Sequence, residues 1–431
     1  MRKTAAAAVF ATALEWYDFS IYATAAALVF GRQFFPGFSG AAGTLAAFGT
    51  FAVGFVARPV GGIIAGHYGD KHGRKRALVG ALVVMGAATF LIGLLPTYAA
   101  IGITAPILLI ILRLFQGLGV GAQWGGAALL LTEHAPVKQR GFYGSLIQTG
   151  GIIGVAAGTG AFLLASAAMT ETQFQTWGWR IPFLVGILLI GVGSYVQLKI
   201  EDTPVFTALR QKSAAAKAAA GISRTPLVEA VRHSWKSILR AAGSFFVVNV
   251  TYYILVSGML DYGVTHLGLS HSTVLALVLL AGVTQIITLP LFGAVSDRRG
   301  RRKLYLVGTV LMALYAFPMF WLIDTGSPVL MFLALTVAFT IHATMFGPQP
   351  ALFAEMFPAN IRMSAASLGY QIGSVFAGGL APFIMVNLLA TTGASWSVAL
   401  YIIACAAVTY VSVIGIKEHF QRNLYETDER R

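Results

Sequence analysis

Twelve apolar runs, each long enough to carry a helix through a hydrocarbon layer of about 30 Å, constrain this chain more than anything else in it. In the first half they fall near Ala5–Phe30, Ala41–Gly66, Ala77–Leu95, Ala105–Leu131, Phe142–Ala168 and Ile181–Leu198. In the second half they fall near Ile238–Leu260, Ser272–Val295, Leu304–Ile323, Val329–Phe353, Ala365–Leu389 and Ser395–Ile416. The runs are continuous rather than alternating, which argues against the strands of a membrane barrel. With 57% of 431 residues hydrophobic and 11% charged, the chain is far from the roughly 25% charge of a soluble domain. It reads as an all-α integral membrane protein embedded in a lipid bilayer.

Arg2 and Lys3 followed by an apolar stretch imitate a secretory signal, but Glu15 and Asp18 interrupt the run before any cleavage site. An uncleaved first span is the better reading. The single cysteine, Cys405, lies inside an apolar run, so no internal disulfide forms and no Cys-based metal site is present. One long polar interval divides six runs from six. The expected organisation is therefore a first bundle over 1–200, a linker over 201–236, a second bundle over 237–417 and a tail over 418–431.

The formal net charge of +14 would suit nucleic acid, but its distribution points elsewhere. Of the 30 Lys and Arg residues, 26 fall in the termini and in alternate loops. That is the cytoplasmic excess of basic residues that orients membrane proteins, so both termini are expected in the cytoplasm and no nucleic-acid partner is implied.

An internal repeat follows the same division. Gly66-x3-Asp70-Lys71-x-Gly73-Arg74-Lys75-Arg76 returns as Gly293-x3-Asp297-Arg298-x-Gly300-Arg301-Arg302-Lys303, 227 residues later. Glu133-x2-Pro136-x3-Arg140 returns as Glu355-x2-Pro358-x3-Arg362, 222 residues later. Two unrelated motifs at nearly one offset indicate a duplicated six-helix unit. One copy alone would pass for a basic loop obeying the orientation rule. An acid repeated at fixed spacing suggests ion pairs that form only when the cytoplasmic ends of the two halves close. Asp70, Arg74, Glu133, Arg140, Asp297, Arg301, Glu355 and Arg362 are the expected inner gate, with the glycines allowing tight turns and close helix approach.

The duplicated loop resembles that of the major facilitator superfamily. More narrowly the chain is similar to the metabolite:proton symporters, and within them to the shikimate and α-ketoglutarate transporter branch. The residues that carry the likeness are Glu15-Trp-Tyr-Asp18-Phe19, Ala57-Arg58-Pro59-Val-Gly61-Gly62, Arg113-Leu-Phe-Gln116-Gly117, Trp124-Gly125-Gly126, Trp177-Gly-Trp179-Arg180-Ile-Pro182-Phe183 and Glu355-Met-Phe-Pro358. The resemblance implies twelve helices in two pseudo-symmetric six-helix bundles, a monomer working by alternating access in a bacterial inner membrane, and uptake of an organic acid by proton symport. The proton is then the coupling ion and no further cofactor is implied.

Ionisable side chains within spans are costly and usually functional. The first span holds Glu15 and Asp18, three apart and so on one helix face. The fourth holds Arg113 and the second Arg58. Symport needs a carboxylate that gains and loses a proton beside a cation, because a nearby opposite charge favours ionisation and burial favours neutrality. Asp18 with Arg113, assisted by Glu15, meets that need, although a static buried ion pair joining two helices would use the same residues. In related sugar:proton porters an Asp of the first span and an Arg of the fourth play similar parts. Arg58 serves either substrate or the cytoplasmic vestibule.

The remaining candidates are amides and phenols suited to a hydroxylated or carboxylated ligand: Gln116, Gln123, Trp124 and Gln148, then Asn249, Tyr252, Tyr253, Gln285, Gln349, Tyr370 and Gln371. Any one of them can equally join two helices. His342 is a packing residue or a proton relay. Gln123 stands where the resembled family usually has a glutamate, which throws coupling onto Asp18 and Glu15 and leaves Arg113 with one counter-ion fewer. An uncoupled facilitator or exchanger therefore remains an alternative; an efflux pump or a membrane sensor is less favoured, and no nucleophile, base and metal-ligand set suggests an enzyme. Gly117-x-Gly119-x-x-Ala122 imitates a dinucleotide loop but has no preceding strand, so its small residues are expected to serve helix packing. Asn249-Val-Thr251, a formal glycosylation sequon, lies mid-span.

Overall fold

A computed structural model of the chain describes residues 2–38, 40–72, 74–121, 131–132, 135–187, 191, 226–357, 361–418 and 421. In the first half α1 covers Arg2–Ala25, α2 Gly40–His72, α3 Arg74–Leu94, α4 Thr104–Gly121, α5 Arg140–Ala167 and α6 Gly178–Ile187. In the second half α7 covers Ser234–Thr265, α8 His271–Arg299, α9 Arg301–Ile323, α10 Pro328–Met356, α11 Ala365–Thr392 and α12 Trp396–Ile414. Among the described residues nine helices are long and apolar enough to cross a membrane, with Val79–Leu94 and Gly178–Ile187 as shorter apolar helices. With α1 in front, they occupy the twelve places read from the sequence.

Several spans are less regular than their composition suggests. π-Helical turns interrupt the first at Ala26–Phe30, the seventh at Ile254–Gly258 and the eleventh at Ser374–Gly379. The tenth is broken before Gln349, where Gly347 and Pro348 follow one another and the proline has no N–H to donate.

Small residues set the packing. Gly150, Gly154 and Gly158 form a stripe on α5, and a Cβ at any of them would run into the α1 backbone or side chains near Val9, Ala13 and Tyr17. On α4, Gly117 and Gly121 lie against Gly54 and Arg58 of α2, while Gly119 faces Ala81 and Met85 of α3. The glycines of the false dinucleotide loop thus do hold helices together, as small residues in lipid should. The two halves meet along α5 with α8 and along α2 with α11. Those pairs exchange under the repeat, so the interface is two-fold like the sequence.

Candidate buried charge network

Asp18 lies on α1 with 1% of its surface exposed. Its Oδ1 accepts a hydrogen bond from the Thr89 hydroxyl of α3, and its Oδ2 accepts one from Gln116 Nε2 of α4 at 2.8 Å. Gln116 Oε1 in turn accepts from Arg113 Nη1 at 2.6 Å. The cation and the carboxylate singled out in the sequence are therefore brought together, but not as a direct ion pair. Gln116 stands between them. A guanidinium can only donate, so it fixes the amide with its oxygen toward Arg113 and its nitrogen toward Asp18.

The guanidinium of Arg113 is 4.0 Å from the Tyr22 ring centroid, and the Phe51 and Phe19 rings lie farther off at 5.1 and 5.3 Å. Gly54 of α2 leaves the room it needs, since a Cβ there would strike the side chain. Arg58 is buried as well, 4.2 Å from Phe55 and 4.9 Å from Phe19. Phe19 is thus shared by two cations, whose flat charge suits aromatic faces. Arg58 also hydrogen-bonds Tyr370 of α11 and faces buried Glu15. These contacts place it in the central network rather than snorkelling toward the aqueous edge.

Across the interface, Tyr253 packs on Phe19, Phe51 and Phe55 at 5.4, 5.9 and 5.5 Å. Tyr252 meets Trp16 at 5.5 Å and His342 at 5.5 Å. The Tyr252 hydroxyl and Asn249 Nδ2 are buried without a hydrogen-bond partner, as is Nε of Arg113. Other candidates are occupied by helix contacts. Gln285 Nε2 lies 3.0 Å from the Phe339 carbonyl and 2.7 Å from His342 Nδ1. Gln349 donates to the Tyr305 hydroxyl at 3.0 Å and accepts from Gln148 at 3.5 Å; Gln371 donates to the Gly121 carbonyl at 3.5 Å. Gln123 and Trp124 lie outside the described residues.

The second repeat motif forms a separate cluster at the end expected to be cytoplasmic. Asp297 of α8 accepts from the backbone N–H groups of Gly141 and Phe142 at 2.8 and 2.9 Å, and pairs with Arg301 at 2.7 Å. Arg301 also reaches Glu355 at 3.3 Å. Arg140 is buried near Glu355, and Arg362 donates to the Phe357 carbonyl at 3.1 Å. Asp297 thus caps α5 from the opposite half, filling a need left by Gln139, which caps nothing with its own side chain. Gly300 turns the chain at φ +92°, and Gly293 lets the backbone approach Gly141 and Ser145. Glu133 and the side chains of Asp70 and Arg74 lie outside the described residues.

Three contributors carried no sequence signal. Thr89 is one threonine in an apolar helix. Glu418 accepts from the backbone N–H groups of Arg301 and Arg302 at the start of α9. At the opposite end, His271 meets Glu171 at 3.1 Å, again between halves. Arg180, quoted for its motif, donates to the carbonyls of Gly93 and Leu95 at 2.9 and 2.7 Å and so closes the end of α3. Among the described residues no three His, Cys, Asp or Glu side chains cluster as a metal site requires.

A family model described as sugar (and other) transporter matches residues 4–430. The chain is 40% identical to the shikimate transporter of Escherichia coli (strain K12), over 97% of this chain and 94% of that protein. It is 38% identical to an inner membrane metabolite transport protein of the same organism, over 98% and 95%. A proline/betaine transporter of Salmonella typhimurium is 35% identical, over 98% and 85%. Among solved structures, a D-xylose–proton symporter superposes with a TM-score of 0.74 over 98% of both chains at 17% identity. That likeness establishes the major facilitator fold.

Proposed function

The chain belongs to the sugar (and other) transporter family, and on that premise we propose that this multi-pass membrane transporter imports a small carboxylated or polyhydroxy metabolite together with a proton. A shikimate-like acid or a dicarboxylate is the substrate class, and alternating access in a bacterial inner membrane is the mechanism. The observation that carries this reading is the buried chain Asp18–Gln116–Arg113. Asp18 is the proton carrier, with Glu15 as the second carboxylate on the same helix face. Arg113 and Arg58 supply the positive charge an organic anion needs in a site closed to water. Asn249 Nδ2 and the Tyr252 hydroxyl, both unpartnered, are the groups a ligand hydroxyl or carboxylate would satisfy. Tyr253, Tyr370, Gln148, Gln349, Gln371 and Gln285 are the further substrate-binding candidates, together with Gln123 and Trp124.

The inner gate joins the two ends of the repeat. Asp297, Arg301, Glu355 and Arg140 close it in one half of the motif, and Asp70, Arg74, Glu133 and Arg362 serve the other. The bundles are taken as 1–200 and 237–417, with 201–236 as linker and 418–431 as tail, in a monomer whose termini face the cytoplasm.

The test is uptake of radiolabelled shikimate by proteoliposomes under an imposed proton gradient, with α-ketoglutarate, other dicarboxylates, citrate and betaines as competitors. Saturable uptake, abolished by a protonophore and competed by anions, is the expected result. Transport that leaves the lumen pH unchanged would overturn symport, and preference for an uncharged analogue would overturn the anion assignment. Gln123, in place of a glutamate, favours a second reading as an uncoupled facilitator or exchanger of organic anions, which the lumen measurement separates.

A further inference from the structure

Thr89 belongs to none of the motifs, yet it completes the surroundings of Asp18. Its Oγ1 meets Asp18 Oδ1, lies 2.8 Å from Gln116 Nε2 and lies 2.9 Å from the carbonyl of Met85 one turn earlier in α3. A hydroxyl has one hydrogen and two lone pairs. Gln116 uses one lone pair, because its two amide hydrogens go to Thr89 and to Asp18 Oδ2 and Arg113 prevents the amide from turning over. One hydrogen and one lone pair remain, with two neighbours to receive them.

We propose that the Thr89 hydroxyl is the positioning group that lets Asp18 gain and lose a proton without moving its neighbours; the inference rests on the reading of Asp18 as the proton carrier. With Asp18 ionised, the Thr89 O–H donates to Oδ1. When a hydronium ion delivers its proton, one O–H bond forms at Oδ1 and a water molecule leaves. The new carboxyl hydrogen then donates to the remaining lone pair of Thr89, whose own hydrogen rotates to the Met85 carbonyl. Release to water reverses both movements. Every side-chain polar atom of Asp18, Thr89 and Gln116 keeps a partner in both states, which matters because a buried group left unpaired is costly. Asp18, Thr89, Gln116 and Arg113 all belong to the first half, so the exchange works whichever side of the membrane is open. Valine has the shape of threonine without the hydroxyl; serine keeps the hydroxyl.

The experiment is pH-induced infrared difference spectroscopy of the full chain in liposomes, with no substrate added. Asp18→Asn identifies the carboxyl band that appears on acidification. Thr89→Val should move that band to higher frequency, as expected of a carboxyl that has lost its acceptor, and displace its pH midpoint. Thr89→Ser should restore both. Thr89→Ala provides a second hydroxyl-free chain if the valine variant does not insert. A band unchanged in both hydroxyl-free variants overturns the role of Thr89 and leaves the proton-carrier reading intact. A serine variant displaced like the valine one reduces Thr89 to packing and also overturns it. If no band disappears in Asp18→Asn, the proton-carrier reading fails, and the Thr89 inference with it.

Discussion

Asp18 and Asp297 are both buried carboxylates with both oxygens hydrogen-bonded, but their partners come from different places. Asp18 takes neutral donors, Thr89 and Gln116, from its own half. Asp297 takes an arginine from its own half and two backbone amides from the other. Separation of the halves at that end would strip Asp297 of its amides while leaving the Asp18 set whole. A carboxylate satisfied within one rigid body suits a proton site that must persist through the cycle. One satisfied between bodies suits a latch, because its partners exist only in the closed form.

That contrast can be broken by substitution. The largest effect is expected from Asp18→Asn: accumulation of labelled substrate against its gradient is lost altogether, while exchange of internal for external substrate continues. Loss of exchange as well would mean that Asp18 holds the fold or the substrate instead. Next comes Asp297→Ala, which leaves buried Arg301 without its nearest acid and opens the end it closes. Removing one partner of a buried pair costs about 3–5 kcal/mol. With Cys405 replaced by serine, a cysteine at buried Ser145 should become reactive to a thiol reagent in the Asp297→Ala background and stay protected in the Asp18→Asn one. Equal protection in both would erase the distinction between the two sites.

A smaller effect is expected from Gly154→Leu, whose side chain would meet the Ala13 carbonyl and the Tyr17 backbone of α1. Overpacking of this kind costs about 1–3 kcal/mol and would be read as a lower thermal midpoint in detergent. The least is expected from Glu171→Gln. Its side chain is 54% exposed beside His271, and a solvent-accessible pair of this kind contributes about 0–1 kcal/mol, so uptake should stay within about twofold of the unaltered chain. A large loss there would mark the outer contact between halves as a second latch.

The spans were legible because hydrocarbon imposes a length on any helix that crosses it, and the duplication was legible because two motifs recur at one offset. Glu15, Asp18, Arg58 and Arg113 stood out because charge within an apolar run is costly wherever the helix lies. The partners of Asp297 were not legible, since a backbone N–H belongs to every residue but proline and leaves no mark in a sequence. Nor was Thr89, 71 residues from Asp18, distinguishable from threonines that bond only their own helix, as Thr149 does with Ser145.

The sequence by itself determined that this chain spans a membrane as two related halves and which few charges lie at depth. Only the tertiary structure decided that Gln116 separates Arg113 from Asp18, that Thr89 completes the carboxylate, and that Asp297 caps a helix of the other half. These are contacts between helices far apart in the chain. Their geometry depends on how closely glycine-lined faces approach and on how each helix is turned about its axis, and no local pattern of residues encodes either.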